Sequence, residues 1–281
     1  MKEIGYIADA VELRAWAKGG VFALDAFKDE LWAALGEGED AEEVAQLVVS
    51  EIQQRQQILG DSYPFYSDGY TVEVTVQQPN RTTYLFCLGL SLLPPAYIEN
   101  EQRSLQFETV AMRAAQGFYG GVALRIGAPW RTEEIPTFET LLNRVVQLIP
   151  NLGSLLETAA PGGGDAGWDA LIVKSFRDNS FPRFIVLGNC ATGRSDWLTK
   201  GMETQPNFLW RTYFAHEHES VLTTFLAVPF IMDEDARRKK LSDTAMTFDR
   251  FRICEHAPES SEEVAQWLES SRPAALDVPF N

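Results

Sequence analysis

Cysteine is scarce: the chain of 281 residues holds three, Cys87, Cys190 and Cys254, far apart and with no CxxC pair. An odd number at such spacing supplies neither a disulfide framework nor a zinc knuckle, and a reducing, cytoplasmic setting is expected. Long apolar runs are missing too, since none approaches the ~20 residues that span a bilayer. The first turns of the sequence carry charge throughout (Lys2, Glu3, Asp9, Glu12, Arg14, Lys18), so neither export nor membrane insertion is expected. Positive charge is short: 24 Lys and Arg stand against 40 Asp and Glu, a formal net charge of −16. That balance repels nucleic acid and anionic membranes at long range, and any contact with DNA has to be local or assisted by a partner. The glycines at 162–164 are not followed by the Gly-Lys-Ser/Thr of a phosphate loop, which removes that class of nucleotide hydrolase.

What is present is the composition of a folded protein. Apolar residues at 45% and charged residues at 23% exclude wholesale disorder and low complexity. The length suffices for one large domain or two small ones, with a core that needs no disulfides. Pro94 and Pro95 cannot continue a helix and favour an extended connector. They divide the chain into residues 1–95, a helical region with a strand pair that would serve as an accessory or partner-binding part, and residues 96–281, an α/β domain.

Residues 6–35 read as a helical hairpin, with Ile7, Val11 and Ala15 on one stripe and Leu24, Phe27, Leu31 and Leu35 on another, split at Gly19-Gly20. A third helix carries Val44, Leu47, Val48 and Ile52 and stops at Gly60. Residues 70–76 alternate as a strand, whereas the nearly continuous apolar run 82–93 fits either a strand or a buried helix. Helices are expected over 101–120, from the stripe Phe107, Val110, Ala111, Ala114 and Phe118, and over 137–149, closed by Pro150. Residues 170–173 and 184–187 make adjacent strands, 197–202 a helix and 221–231 a further strand. An acidic amphipathic helix bearing Val264, Trp267 and Leu268 follows Pro258.

The chemistry concentrates in GGGDAGWDALIV (162–173) and RFIVLGNCATG (183–193). Hydrolysis of a phosphodiester needs a divalent ion held by carboxylates next to the scissile phosphate, and a carboxylate at the start of a strand is rigid enough to hold one. Asp169 is that carboxylate, the next strand brings Asn189 beside it, and an upstream helix offers Glu108 as a second acid. The plainer alternative is that Asp165 and Asp169 only shape a turn.

Phe107-Glu108 in a helix, then Gly164-Asp165-Ala166-Gly167-Trp168-Asp169 leading into a strand, then an apolar strand ending Gly188-Asn189-Cys190-Ala191, resembles the PD-(D/E)xK nuclease superfamily, in particular its Mrr-like branch. The resemblance covers roughly residues 101–200. It implies a restriction-endonuclease-like mixed central sheet flanked by helices, joined here to a helical N-terminal region. It also implies Mg²⁺- or Mn²⁺-dependent cleavage of DNA in bacterial antiviral defence or restriction, with delivery by a helicase or sensor subunit or by a homo-oligomer. Glu108, Asp165 and Asp169 match the metal-binding positions, and Asn189 stands where Glu or Gln is usual. Ala191 occupies the place of the water-activating Lys, and Lys200 on the following helix is the substitute ammonium. The departures at Asn189 and Ala191 support a second expectation, a catalytically degenerate subunit that binds or regulates within a defence complex.

A third reading, a cysteine hydrolase, pairs Cys190 with His216 or His218. Arg237-Arg238-Lys239-Lys240 is the basic run of the sequence, and it reads as a phosphate contact or a solvated segment. Tyr63, Phe65, Tyr66, Tyr70 and Trp210 are expected in a core or interface rather than as base-stacking platforms.

Overall fold

The computed structural model describes residues 4–23, 27–29, 41–75, 79–94, 100–128, 135–156, 167–178, 183–193, 197, 206–216, 222–240, 246–257 and 261–280. These fall into two compact units, Met1–Asn100 with Pro258–Asn281, and Glu101–Ala257.

The first unit opens with α1 (Ile4–Lys18), which ends at Gly19. There φ of +69° lets the amide bond back to Ala15 O and Trp16 O. The expected second arm of a helical hairpin is replaced at its start by a strand, β1 (Val21–Ala23). Only Phe22 of β1 is buried, opposite Val72, and one inward residue is too short a pattern to distinguish from a helical stripe. Residues 27–29 of that arm are helical, while 24–26 and 30–35 lie outside the described ones. The third expected helix is α2 (Ala41–Leu59), which buries Ala45, Val48 and Ile52 and closes at Gly60. β2 (Phe65–Ser67) and β3 (Thr71–Val74) follow, and β3 lies between β1 and β2, antiparallel to both. The ambiguous run is a helix, α3 (Pro79–Leu92). Residues Thr83 to Leu88 are all buried, so α3 lacks the polar face that helical periodicity requires.

Buried charge ties α1 to α2. Arg55 reaches Asp9 at 2.7 Å, Glu12 at 2.9 Å and Glu51 at 2.8 Å, while the Tyr63 and Tyr84 hydroxyls donate to Glu12 at 2.5 and 2.8 Å. Burial alone would lower the guanidinium pKa, but Glu12 and Asp9 more than offset it and hold the group well above its ordinary value. Burial and then Glu12 push the Tyr63 phenol well above its usual range. The C-terminal helix, Glu262–Leu276, belongs to this unit and not to the one that follows Pro95, which corrects the expected extent of 96–281. Its apolar stripe packs on α1 and α3, with Trp267 edge-on to Phe86 at 5.3 Å.

The second unit is a mixed α/β fold. α4 (Asn100–Tyr119) runs through Gly120 and Gly121, both at positive φ, into β4 (Val122–Arg125). Thr137 caps α5 (Phe138–Leu148) by accepting from the Thr140 amide. β5 (Ala170–Lys174) and β6 (Phe184–Cys190) come next, followed by α6 (Pro206–Tyr213) and β7 (Leu222–Ala227). α7 (Glu234–Lys240), β8 (Met246–Phe248) and α8 (Arg250–His256) complete it. The five strands form one sheet in the order β4-β5-β6-β7-β8, antiparallel from β4 to β6 and parallel from β6 to β8. Leu124, Leu171, Val173, Ile185 and Leu187 share one face and pack on Leu141, Leu142 and Val145 of α5 and on Trp210 of α6. Alternation along β4 sends Arg125 to the opposite face, where it meets Glu108 of α4. The expected sheet flanked by helices is therefore present in this unit. No helix among the described residues is long and apolar enough to cross a membrane.

Candidate functional site

Asp169 sits one residue ahead of β5, clamped by its own backbone on both sides. Its amide donates to Gly188 O at 2.9 Å, and its carbonyl accepts from the amides of Ile126 at 2.8 Å and Gly127 at 3.0 Å. Its side chain turns across the end of β6, where Oδ2 accepts from the Cys190 amide at 2.7 Å. A carboxylate held by a backbone donor on a strand end has little freedom to swing away.

The other oxygen of Asp169 faces Gly127. A Cβ at Gly127 would lie 2.8 Å from Asp169 Oδ1 and 2.9 Å from Glu108 Oε2. Both carboxylates therefore close on the spot that a methyl group would fill, and their oxygens are no further apart than the sum of those distances. Glu108 comes from the buried side of α4 and is only 6% exposed. Its Oε2 accepts from Arg125 Nη1 at 2.7 Å, and the same nitrogen donates to Gly127 O at 2.7 Å. The local set is two acids and one guanidinium, joined at the backbone of Gly127.

Two hard carboxylate oxygens converging beside Gly127 with one negative charge in excess are the donor type that a small divalent cation takes, with oxygen ligands about 2.0–2.6 Å from the metal. Glycine is what lets both carboxylates approach the backbone this closely. Among the described residues no group of three or more His, Cys, Asp or Glu side chains comes together as a metal-binding set, and Glu108 and Asp169 stand as a pair of acids.

Asn189 is 2% exposed, inside β6 and in register with Leu226, and the backbone of the next residue is what holds Asp169. Asp165 and Lys200 lie outside the described residues, as does the helix expected over 197–202 apart from Trp197. Ala191 is buried in an apolar cluster with Trp197, Leu226, Val228, Phe230 and Met232. Of the cysteine alternative, His216 follows α6 and packs on Gly153, Cys190 gives its amide to Asp169, and His218 lies outside the described residues. In the basic run, Arg237 pairs with Asp249 at 2.6 Å and Arg238 with Glu234 at 2.9 Å. Tyr63, Phe65 and Trp210 are core residues, whereas Tyr66 and Tyr70 are exposed.

Arg125 and Gly127 are the two members that sequence reasoning passed over. Their signal was an arginine inside the apolar run Val-Ala-Leu-Arg-Ile, followed by a strand-end glycine, which marks a close approach. By fold and site, this is a mixed α/β protein with a pair of acids, Glu108 buried and Asp169 half-buried, at one end of its larger sheet. No protein-family model, curated protein or solved structure matches the chain.

Proposed function

We propose that the protein is a divalent-metal-dependent nuclease that hydrolyses DNA phosphodiester bonds, of restriction-endonuclease-like fold and acting in bacterial antiviral defence or restriction. The observation that carries this reading is the convergence of Glu108 Oε2 and Asp169 Oδ1 over Gly127. Glu108 and Asp169 hold Mg²⁺ or Mn²⁺, with Asp165 as the further acid that the resemblance implies. When bound, the ion polarises the scissile phosphate and lowers the pKa of a coordinated water.

The chain's own groups do the rest. The Cys190 amide fixes the Asp169 carboxylate. Arg125 offsets one of the two negative charges and is itself tied to Gly127 O. Asn189 lines the strand end beside Asp169, and Lys200 is the ammonium that orients the attacking water. DNA is the substrate, brought in the cytoplasm by a helicase or sensor subunit or by further copies of the chain.

Purified protein incubated with linear and plasmid DNA and with RNA, in Mg²⁺, Mn²⁺ or EDTA, tests this. The wild type is expected to cleave DNA only with the metal. Asp169→Ala is expected to lose cleavage and calorimetric Mn²⁺ binding while keeping its circular dichroism, because deleting a metal ligand costs the ion and not the core. Gly127→Ala, whose methyl group would push the two carboxylates apart, is expected to weaken Mn²⁺ binding as well. Equal cleavage by wild type and Asp169→Ala sinks the assignment.

A second reading, a degenerate nuclease-fold subunit that binds or regulates within a defence complex, is favoured by one observation. The position of the strand ammonium is Ala191, sealed in an apolar cluster. Under that reading the wild type binds no Mn²⁺ and Lys200→Ala changes nothing; under the first, Lys200→Ala slows the chemical step by about tenfold or more.

A further inference from the structure

The first unit holds, by itself, a cavity of about 490 Å³, within the ~300–1,000 Å³ of small-molecule sites. Two arginines from segments far apart in the sequence line it: Arg81 in the first turn of α3, and Arg272 in the C-terminal helix. Arg81 spends Nη1 on Thr75 O at 2.6 Å, and Arg272 spends Nη2 on Glu269 at 3.0 Å. Each keeps a buried Nε with no hydrogen-bond partner among the described residues.

Both guanidiniums are held in place. Arg272 stacks on the Trp16 ring at 5.0 Å, and Gly19 leaves it room, since a Cβ there would lie 3.3 Å from Nη1. Val74 and Leu85 give the cavity an apolar wall, and Glu73, exposed on β3, is the acid among its lining residues. In a chain of net charge −16, two incompletely bonded guanidiniums around one concave space select an anion. The fork of N–H donors on Arg matches phosphate oxygens two at a time.

We propose that this cavity binds a phosphate-bearing small molecule of nucleotide size, with Arg81 and Arg272 on the phosphate and Val74 and Leu85 against its apolar body. The proposal is independent of the nuclease reading, because every residue it uses lies in the first unit.

Calorimetry on the full chain with the four common ribonucleoside monophosphates, their uncharged nucleosides and inorganic phosphate tests it. At least one monophosphate is expected to bind at a single site, tighter than inorganic phosphate, with the nucleosides silent. Arg272→Gln is expected to weaken that binding about tenfold or more, as loss of a charge-assisted hydrogen bond does. Glu73→Gln, an exposed change with no core to disturb, is expected to strengthen it severalfold by removing a like charge. The proposal falls if no monophosphate binds at millimolar concentration, or if a nucleoside or inorganic phosphate binds as tightly as the monophosphate. It falls equally if a folded Arg272→Gln binds as the wild type does. Should Arg272→Gln fail to fold, an affinity left unchanged by Glu73→Gln overturns it.

Discussion

Asp169 and Ala191 flank the end of the same strand pair, yet one is held by a backbone amide beside a second acid and the other lies in an apolar cluster. That contrast decides what a lysine at 191 would meet. Ala191 is 3% exposed, and an ammonium there would be stripped of water among Trp197, Leu226, Val228, Phe230 and Met232. Ala191→Lys is therefore expected to cost ~2–4 kcal/mol of stability and to add nothing to cleavage, read as a lower urea midpoint with an unchanged plasmid assay. A midpoint equal to wild type would mean that the position opens to solvent. Asp169 could be found from sequence because a glycine-rich turn running into an apolar strand marks a carboxylate at a strand start. Arg125 and Gly127 left a signal in the sequence but not their partner, because only the β4–β5 register brings Ile126 and Gly127 onto the Asp169 carbonyl. Spacing along a chain carries no information on which strand end stands beside which helix.

At the scale of elements, length decided what could be read. α2, α4, α5 and the C-terminal helix each run for three turns or more with a buried stripe, and their spans follow the periodicity closely. β1 and β2, of three residues each, offer too few alternations to stand out. α3 escaped for the opposite reason, being buried on every side. α4 also carries a test in which packing and propensity pull apart. Gly117 lies inside it, and Gly→Ala within a helix ordinarily stabilises by roughly 0.5–1 kcal/mol. Here an added Cβ would run into the His256 carbonyl at the end of α8, and backbone yields far less readily than a side-chain tip. Gly117→Ala is expected to destabilise by ~1–3 kcal/mol, measured by urea unfolding. A variant more stable than wild type would show that α8 gives way.

The whole molecule is discontinuous in sequence, and that was the part least open to reading. Pro94-Pro95 marks the exit from the first unit well, since the division falls at Asn100, but nothing in a linear pattern announces that residues 258–281 return to it. The partner of an apolar stripe is fixed by complementary packing, here Trp267 against Phe86 and over Gly89. Charge, by contrast, is a property of the whole chain that sequence gives outright, and the structure sharpens its consequence. Affinity for duplex DNA rests largely on phosphates neutralised by Lys and Arg with release of counterions. Of the basic run on α7, Arg237 and Arg238 are already paired with Asp249 and Glu234, so those two charges are engaged within the protein. With a net charge of −16 opposing approach, the isolated chain is expected to bind a short duplex no tighter than micromolar at ~150 mM salt. Binding should tighten as salt is lowered, with a shallow slope because few phosphates are contacted. Fluorescence anisotropy of a labelled duplex across a salt series reads both quantities. Nanomolar binding by the monomer at physiological salt would contradict this, and would place a basic surface among residues other than those of α7. Weak binding that becomes tight on adding a basic partner, or on self-association, is the outcome that a DNA-acting reading of so acidic a chain requires.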